Sequence, residues 1–434
     1  MKVLVIGGGG REDALCWKIA SDSTRPEVYC APGNAGTARH ARPVPVAAED
    51  VAGLCAWARR EHPDLVVVGP EAPLCAGIAD RLAGEGIRVF GPCQAAARLE
   101  GSKVFAKEIL RAAGVPTARA ERFRSVDDAL AYIRREDAPL VVKADGLAAG
   151  KGVTVCATAA QAEAAVREAM VDRAFADAGA EVLIEECLVG EEASVLALVD
   201  GEHIVPLTSA QDHKRIGDGD TGPNTGGMGA YSPAPVAPDA QLDELRRTVF
   251  EPVVAELRNR GIRYQGVLYA GLMMTAQGPK VLEFNCRFGD PETQAILPRW
   301  DGDLLPALIA CADGTLTPSL VRWKPDASLC VVLAAGGYPG AYRKGDVIAG
   351  LADAQALPEV RIFHAGTASG ADGSVHTSGG RVLGVCATGG DIAAARRRAY
   401  AAVERISFDG MQYRRDIAAR AMPGTPLPER ENRT

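Results

Sequence analysis

The sequence predicts a multidomain α/β and α+β protein whose first domain is a doubly wound parallel sheet. Strand, glycine-marked loop and helix alternate through the first hundred residues, the pattern that builds parallel sheets covered on both faces. A second α/β region follows to about Pro325, and a third segment opens on SLCVVLAAGGYPG and closes on a strand, RVLGVCAT, and a helix, DIAAARRRAYAAVERI. The 434 residues are enough for such an arrangement, at roughly 150 residues per domain.

In chain order, KVLVIG (Lys2–Gly7), EVYCAPGN, DLVVVGPE and IRVFGP are short apolar strands ending in GGGGREDA, APGNAGT and GPEAPL loops. Ligands of such sheets bind outside the carboxyl ends of the strands, where these loops lie. The first loop lacks the third glycine of the dinucleotide fingerprint, since Glu12 or Asp13 stands there, and no acid ends the second strand. The loop remains open to a single phosphate at a helix N-terminus or to a plain tight turn. QAAARLEGSKVFAKEILRAAGVPTARAE carries two helices broken at Gly101 and at Gly114-Val115-Pro116.

The stretch VVKADGLAAGKGVTV (141–155) imitates a phosphate loop without being one. Three residues separate Gly146 and Gly150 where the strand-to-helix loop needs four, and Gly152 follows Lys151 where Ser or Thr should hold magnesium. Val153-Thr154-Val155 then favours a strand. Lys143 sits in an otherwise apolar strand, and an anionic ligand is a better reason for it than chance. VLIEECLVGEEASV is a strand bent at Gly190. Its edge could offer backbone groups to an adenine, with an acidic residue following for ribose hydroxyls; a surface strand with acidic flanks is the alternative. SAQDHKRIGDGDTGPNTGGMGAYSP (Ser209–Pro233) is long, polar and glycine-rich, which favours a lid. In VLEFNCRFGDPET, Glu283 and Asn285 are two apart, so a strand projects both to one face with Leu282 and Phe284 on the other. That pair suits a hard cation, and Arg287 would follow on the same face if the strand persists; a solvated edge strand is the bland reading. In the last helix Ile392, Ala395, Ala399, Val403 and Ile406 recur at helical spacing.

Bulk properties exclude several classes. A net charge of -7 gives no electrostatic footprint for nucleic acid. No run of about 20 apolar residues is present, so no helical membrane span is expected. Eleven scattered cysteines without C-x-x-C point to reduced thiols in a cytoplasm. No His/Cys zinc spacing occurs, so a metal would have to use oxygen ligands.

The strings KVLVIGGGGRE, APGNAGT, VGPEAPL, LEGSK, KADGLAAGKGV, IEECLVGEEAS, QDHKR, DTGPNTGGMGAYSPAP, EFNCRFGDPETQ, AAGGYPG and GGRVLGV occur together in this order, to about Met422. In this the chain resembles the phosphoribosylamine–glycine ligases (glycinamide ribonucleotide synthetases), ATP-grasp enzymes of purine biosynthesis. The resemblance implies three domains, 1–101, 102–325 with a flap at about 120–190, and 326–422, with a disordered tail at 423–434. It implies ligation of glycine to 5-phosphoribosylamine through glycyl phosphate, with ATP as co-substrate and Mg2+ or Mn2+ as cofactor. Glu283 and Asn285 would hold the metal. Lys103 and Lys143 would contact the α- and β-phosphates, and the hairpin from Gly146 through Gly150 and Lys151 to Gly152 would close over them. The backbones of Glu186 and Leu188 would read adenine, with Glu185 nearby and Glu192 on the ribose. Arg287 would steady the transferring phosphoryl group. Gly8, Gly9, Gly10, Glu71, Asp212, Asp290 and Arg381 would surround glycine and phosphoribosylamine, with Lys143, Arg287, Asp212 and Asp290 as the catalytic set. A cytoplasmic monomer is expected, with a weak dimer as alternative and no nucleic-acid or membrane partner. The end at Thr434 leads one to expect a stand-alone enzyme.

One position departs from the family. Asp13 stands where the family usually has histidine, which would place a negative charge near the proposed phosphate site. Three rivals remain at this level: another ATP-grasp ligase of the pathway, a nicotinamide oxidoreductase on the N-terminal sheet, and an inactive nucleotide sensor. The QDHKR and EFNCRFGDPET strings, the missing fingerprint, and the intact Glu283, Asn285, Arg287 and lysines weigh against them in turn.

Overall fold

The computed structural model describes residues 1–147, 152–174 and 179–422. The N-terminal sheet contains β1 (Lys2–Gly7), β2 (Glu27–Pro32), β3 (Arg42–Pro43), β4 (Leu65–Val68) and β5 (Val89–Phe90). All pair in parallel, in the order β3-β2-β1-β4-β5. Alternation splits each central strand between two cores: Leu4, Ile6, Val66 and Val68 pack on one side, Val3, Val5, Leu65 and Val67 on the other. Strand order reverses between β1 and β4, so the crevice of this sheet opens between the Gly7–Gly10 loop and the Gly69-Pro70-Glu71 loop.

Two antiparallel sheets follow. The smaller contains β6 (Ala120–Phe123), β7 (Leu140–Ala144), β8 (Val153–Cys156) and β9 (Val182–Glu186), in the order β6-β9-β7-β8. β7 and β8 pair antiparallel with Lys143 opposite Val153, so both ends of 141–155 are strands. Gly150 and Lys151 lie outside the described residues. The larger sheet contains β10 (Glu191–Val199), β11 (Ile204–Pro206), β16 (Gly266–Thr275) and β17 (Gly278–Asn285), in the order β11-β10-β16-β17. Ala193, Val195, Ala270, Leu272, Val281 and Phe284 of this sheet enter the core. The opposite face presents Glu192 and Ser194, Tyr269 and Gly271, and Glu283 and Asn285.

β17 departs from simple alternation. Gly271 pairs with Glu283 but Leu272 pairs with Val281, which leaves Leu282 as a bulge residue. Leu282 is therefore not the buried partner of Phe284 that a regular strand would make it. The strand also ends at Asn285, so Arg287 lies beyond it.

The Ser209–Pro233 segment is not a free lid. It forms β12 (Gln211–Asp212), the hairpin of β13 (Arg215–Gly217) and β14 (Thr221–Asn224), and β15 (Gly229–Ser232). β12 and β15 join β18 (Ala327–Ala334), β19 (Val360–His364) and β22 (Arg381–Gly389) in one sheet, ordered β12-β15-β18-β22-β19. A separate hairpin pairs β20 (Thr367–Ser369) with β21 (Val375–Thr377). The C-terminal sheet thus takes strands from chain well before Pro325. Buried Arg414 fastens the β13–β14 hairpin, donating to Arg215 O (3.1 Å) and pairing with Asp220 (2.7 Å). The composition suggested mobility because glycine and aspartate are turn formers; here they are pinned by a distant arginine.

Asp13 is also placed differently from its sequence reading. Its carboxylate is fully buried and accepts the His364 backbone N–H at 2.7 Å. It joins helix Gly10–Ala20 to β19 and points into a domain contact. Arg39 Nη2 lies 3.6 Å from it. Burial pushes this carboxyl up to about 6 despite the His364 and Arg39 contacts. Among the described residues no helix is long and apolar enough to cross a membrane, and no cysteine forms a disulfide.

The folded protein holds the Asp13 proton more tightly than the unfolded chain, whose value is about 3.8. Stability from this group is therefore full below about pH 4 and falls until about pH 6. Asp13→Asn should raise the thermal midpoint at neutral pH and flatten the stability profile over that acid range. Calorimetry across pH checks it, and an unchanged slope would refute the assignment.

Candidate active site

The smaller antiparallel sheet places two lysines against the larger one. Lys143, on β7, is buried, with Nζ 2.9 Å from Glu185 Oε2 and 3.0 Å from Leu282 O. The β17 bulge presents that carbonyl. Glu185, on β9, also pairs with Lys107 at 3.1 Å. Burial pulls the Lys107 ammonium down to about 8, against the opposing pull of Glu185. Losing the shared carboxylate would leave two buried cations uncompensated, a loss of about 3–5 kcal/mol. Lys103 opens helix Lys103–Ala112, which Ser102 caps. Its Nζ donates to Ala144 O and Gly146 O, both at 2.9 Å, and so grips the entrance of the β7–β8 turn.

At the proposed adenine edge, the Glu186 N–H is already donated to Arg119 O at 3.0 Å. Its side chain accepts from Arg119 N (3.0 Å) and faces Lys280 (3.4 Å). Half-buried Leu188 follows in the connection to β10. Glu192, on β10, pairs with Lys214 at 2.9 Å.

Glu283 and Asn285 lie on the face that carries Ser194, Gly271 and Tyr269. Gly271 packs closely there: a Cβ would sit 3.1 Å from Glu283 Cγ. Lys214, 3.5 Å from Glu283 Oε1, is the chief cause that holds the Glu283 carboxyl below its ordinary range; burial opposes it, and Lys143 and Lys103 assist. Burial would lower Lys214, but Glu192, Glu283 and Asp212 raise it well above its ordinary value. Asp212 ends β12 and Lys214, just beyond the strand, interacts with it, while His213 accepts the Ala418 N–H. Burial, reinforced by the carboxylates of Glu292, Glu192 and Glu283, pushes Asp212 up to about 7 against the pull of Lys214. Glu292 is buried and accepts from Tyr269 OH (2.6 Å) and Ser194 Oγ (3.1 Å).

The N-terminal domain closes the far end. Gly8 is close-packed, since a Cβ would lie 2.7 Å from Gly33 O. The Gly9 N–H is taken by Glu12 Oε2 at 2.6 Å, and Asn34 Nδ2 holds Gly8 O at 2.9 Å. Gly9 therefore does not offer its N–H to a phosphate in this arrangement. The Arg11 N–H points at Asp290 Oδ2 (3.3 Å), and Gln294 donates to Asp290 Oδ1 at 2.7 Å. Burial would raise Asp290, but Arg381 and Arg11 hold it below its ordinary range. Arg381, reaching from β22, lies 3.4 Å from Asp290 Oδ1 and donates to Asp290 O at 2.8 Å. Arg287 Nε lies 3.2 Å from Glu71 and Nη2 lies 2.8 Å from Glu100. Burial alone would lower Arg287, but those two carboxylates raise it. One oxygen of Glu71 is thus engaged by an arginine.

The structure brings Lys103, Lys143, Glu185, Glu192, Asp212, Glu283, Asn285 and Arg287 around one cleft, with Gly8–Gly10, Glu71, Asp290 and Arg381 at its N-terminal end. Sequence reasoning passed over Lys107, Glu100, Arg11, Glu292 and Tyr269, and gave Lys214 no role at the metal. Lys214 was detectable: it stands two residues from Asp212, as Glu283 does from Asn285. Lys107 and Glu100 carried no signal, since charged residues in helices normally face solvent.

A carboxylate and an amide on one strand face, with two lysines and paired strands beside them, spread over two antiparallel sheets, form the arrangement of the ATP-grasp class. Known proteins agree. Residues 101–293 match the phosphoribosylglycinamide synthetase ATP-grasp (A) domain, 1–100 its N domain and 328–420 its C domain. The chain belongs to the phosphoribosylglycinamide synthetase family. It is 50% identical to the phosphoribosylamine–glycine ligase of Vibrio parahaemolyticus over 97% of this chain and 99% of that one. It is 53% identical to the enzyme of that name from Xanthomonas campestris, over 97% and 98%. The crystal structure of the Thermotoga maritima phosphoribosylamine–glycine ligase superposes with a TM-score of 0.83 at 36% identity, covering 96% of this chain and 100% of that one. The biotin carboxylase domain of Hydrogenobacter thermophilus 2-oxoglutarate carboxylase shares the fold, with a TM-score of 0.73 at 16% identity over 95% and 91%.

Asp212 should titrate near 7 in isotope-edited infrared difference spectra, and Glu292→Gln should lower that midpoint by removing a like charge. A wild-type midpoint in the ordinary aspartate range would refute the cluster.

Proposed function

We propose that this chain joins glycine to 5-phosphoribosylamine, giving glycinamide ribonucleotide, ADP and phosphate, the second step of de novo purine biosynthesis. The observation that carries the reading is the convergence of Glu283, Asn285, Lys103, Lys143 and Arg287 on one cleft in a chain of this family. A carboxylate is a poor acyl donor, so glycine's carboxylate first attacks the γ-phosphate, forming glycyl phosphate. The amine of phosphoribosylamine then displaces phosphate. Positioning and charge neutralisation carry most of such a reaction.

Lys103 and Lys143 would leave their carbonyl partners to meet the α- and β-phosphates, while the hairpin spanning Gly146 and Gly152 covers them. The Glu186 carbonyl and the Leu188 backbone would hold adenine beside Glu185, and Glu192 would turn from Lys214 to the ribose. Arg287, preset by Glu71 and Glu100, would steady the transferring phosphoryl group. Asp212, titrating near neutrality, suits a group that takes a proton from an amine. Asp290 stays ionised beside Arg381 and Arg11, with the Gly8–Gly10 loop at the sugar-phosphate end.

The donor set fits a hard divalent cation, Mg2+ or Mn2+. Glu283 is kept ionised and shares a face with the Asn285 amide oxygen. When bound, the ion neutralises phosphate charge. The reading places the reaction in the cytoplasm, with small molecules as the only partners.

ADP release should require glycine and phosphoribosylamine together. Glu283→Ala should cut it at least about 100-fold, the loss that outer-shell partners of a metal alone produce. Coupled assay of ADP checks both. Release supported equally by bicarbonate or formate in place of glycine would overturn the substrate reading.

A further inference from the structure

Lys214 stands where a metal would be drawn. Its Nζ lies 2.9 Å from Glu192 Oε2 and 3.5 Å from Glu283 Oε1. The backbone beneath it is fixed: Thr225 donates to Lys214 O through its N–H (2.7 Å) and its hydroxyl (2.8 Å). The preceding residue is fixed too, since the His213 N–H donates to Gly229 O at 2.9 Å and its carbonyl accepts from Met228 N at 2.8 Å. The ammonium is thus held at the cleft by the C-terminal sheet.

The protein offers a metal few ligands of its own. Among the described residues no group of three or more His, Cys, Asp or Glu could hold an ion. A free divalent cation at Glu283 and Asn285 would have to displace an ammonium already held between the Glu192 and Glu283 carboxylates. A nucleoside polyphosphate changes both conditions. Its phosphate oxygens complete the coordination shell, and its negative charge gives Lys214 another partner.

We propose that Lys214 is the resident counter-ion of Glu283 and makes metal entry conditional on nucleotide. The cleft rejects the free divalent cation and accepts the cation–nucleotide complex. This rests on the reading that Glu283 and Asn285 hold the metal.

The test is Mn2+ titration of the full chain, following free Mn2+ by electron paramagnetic resonance with and without ADP. Wild type, Lys214→Met and Lys214→Arg are compared, with Glu283→Gln as the blank for Mn2+ bound elsewhere. Wild type and Lys214→Arg should take up Mn2+ at this site only with ADP. Lys214→Met should bind Mn2+ without ADP about tenfold or more tighter than wild type, the size of a lost contact with a nearby unit charge. The proposal is overturned if Lys214→Met binds no tighter without ADP yet still binds with it. It is equally overturned if wild type binds tightly without ADP. If Lys214→Met does not fold, Lys214→Gln replaces it under the same criteria. Should wild type match the blank even with ADP, the metal assignment itself fails, whether or not the ligation assay succeeds.

Discussion

Charge pairing between side chains drawn from all parts of the chain constrains everything else in this molecule. Lys143 and Lys107 share Glu185, Lys214 bridges Glu192 and Glu283, and Arg287 is divided between Glu71 and Glu100. Asp290 faces Arg381, and Arg11 pairs with Glu12. A buried charge without a partner costs several kcal/mol, so Lys143 and Lys107, the most deeply buried of these cations, depend on Glu185.

The same constraint ties the domains together. Glu71 and Glu100 come from the N-terminal part of the chain, Arg287 from just past β17, Arg381 from the C-terminal sheet, and Asp212 and Lys214 from a strand that this sheet recruits and the residues just after it. Displacing one domain would strip partners from the others. Asn34 extends the connection outside the charges: its amide holds Gly8 O and also His364 O, at 2.9 and 2.8 Å. The glycine loop is thus locked to the C-terminal domain through one side chain. The glycines serve close packing, against Gly33 and Glu12, more than they offer free N–H groups.

Local rules went far where one element decides the outcome. The parallel order of the first sheet follows from apolar runs spaced by helices, and the two faces of β1 follow from alternation of Val3, Leu4, Val5 and Ile6. The spacing in 141–155 was enough to reject a strand-to-helix phosphate loop in favour of a hairpin. Alternation also put Glu283 and Asn285 on one face. It failed one residue away, at Leu282, because a bulge depends on the register with β16, and no property of Leu282 itself announces it. The lid reading of Ser209–Pro233 failed for a related reason: composition reports turn chemistry, while immobility here comes from Arg414, about two hundred residues later.

The sequence by itself determined the secondary-structure alternation, the shared face of Glu283 and Asn285 and, through its ordered strings, the family. These depend on spacing within a strand or loop, where the period of the backbone fixes which side chains share a face. Tertiary structure alone decided how the charges are paired. It turned Asp13 from a neighbour of a phosphate loop into a buried contact with β19, tied Glu71 to Arg287, consumed the Gly9 and Glu186 N–H groups, and put Lys214 on Glu283. Coulomb interactions act through space and sharpen with burial, so the chain can specify them only after folding has brought residues hundreds of positions apart within a few ångströms.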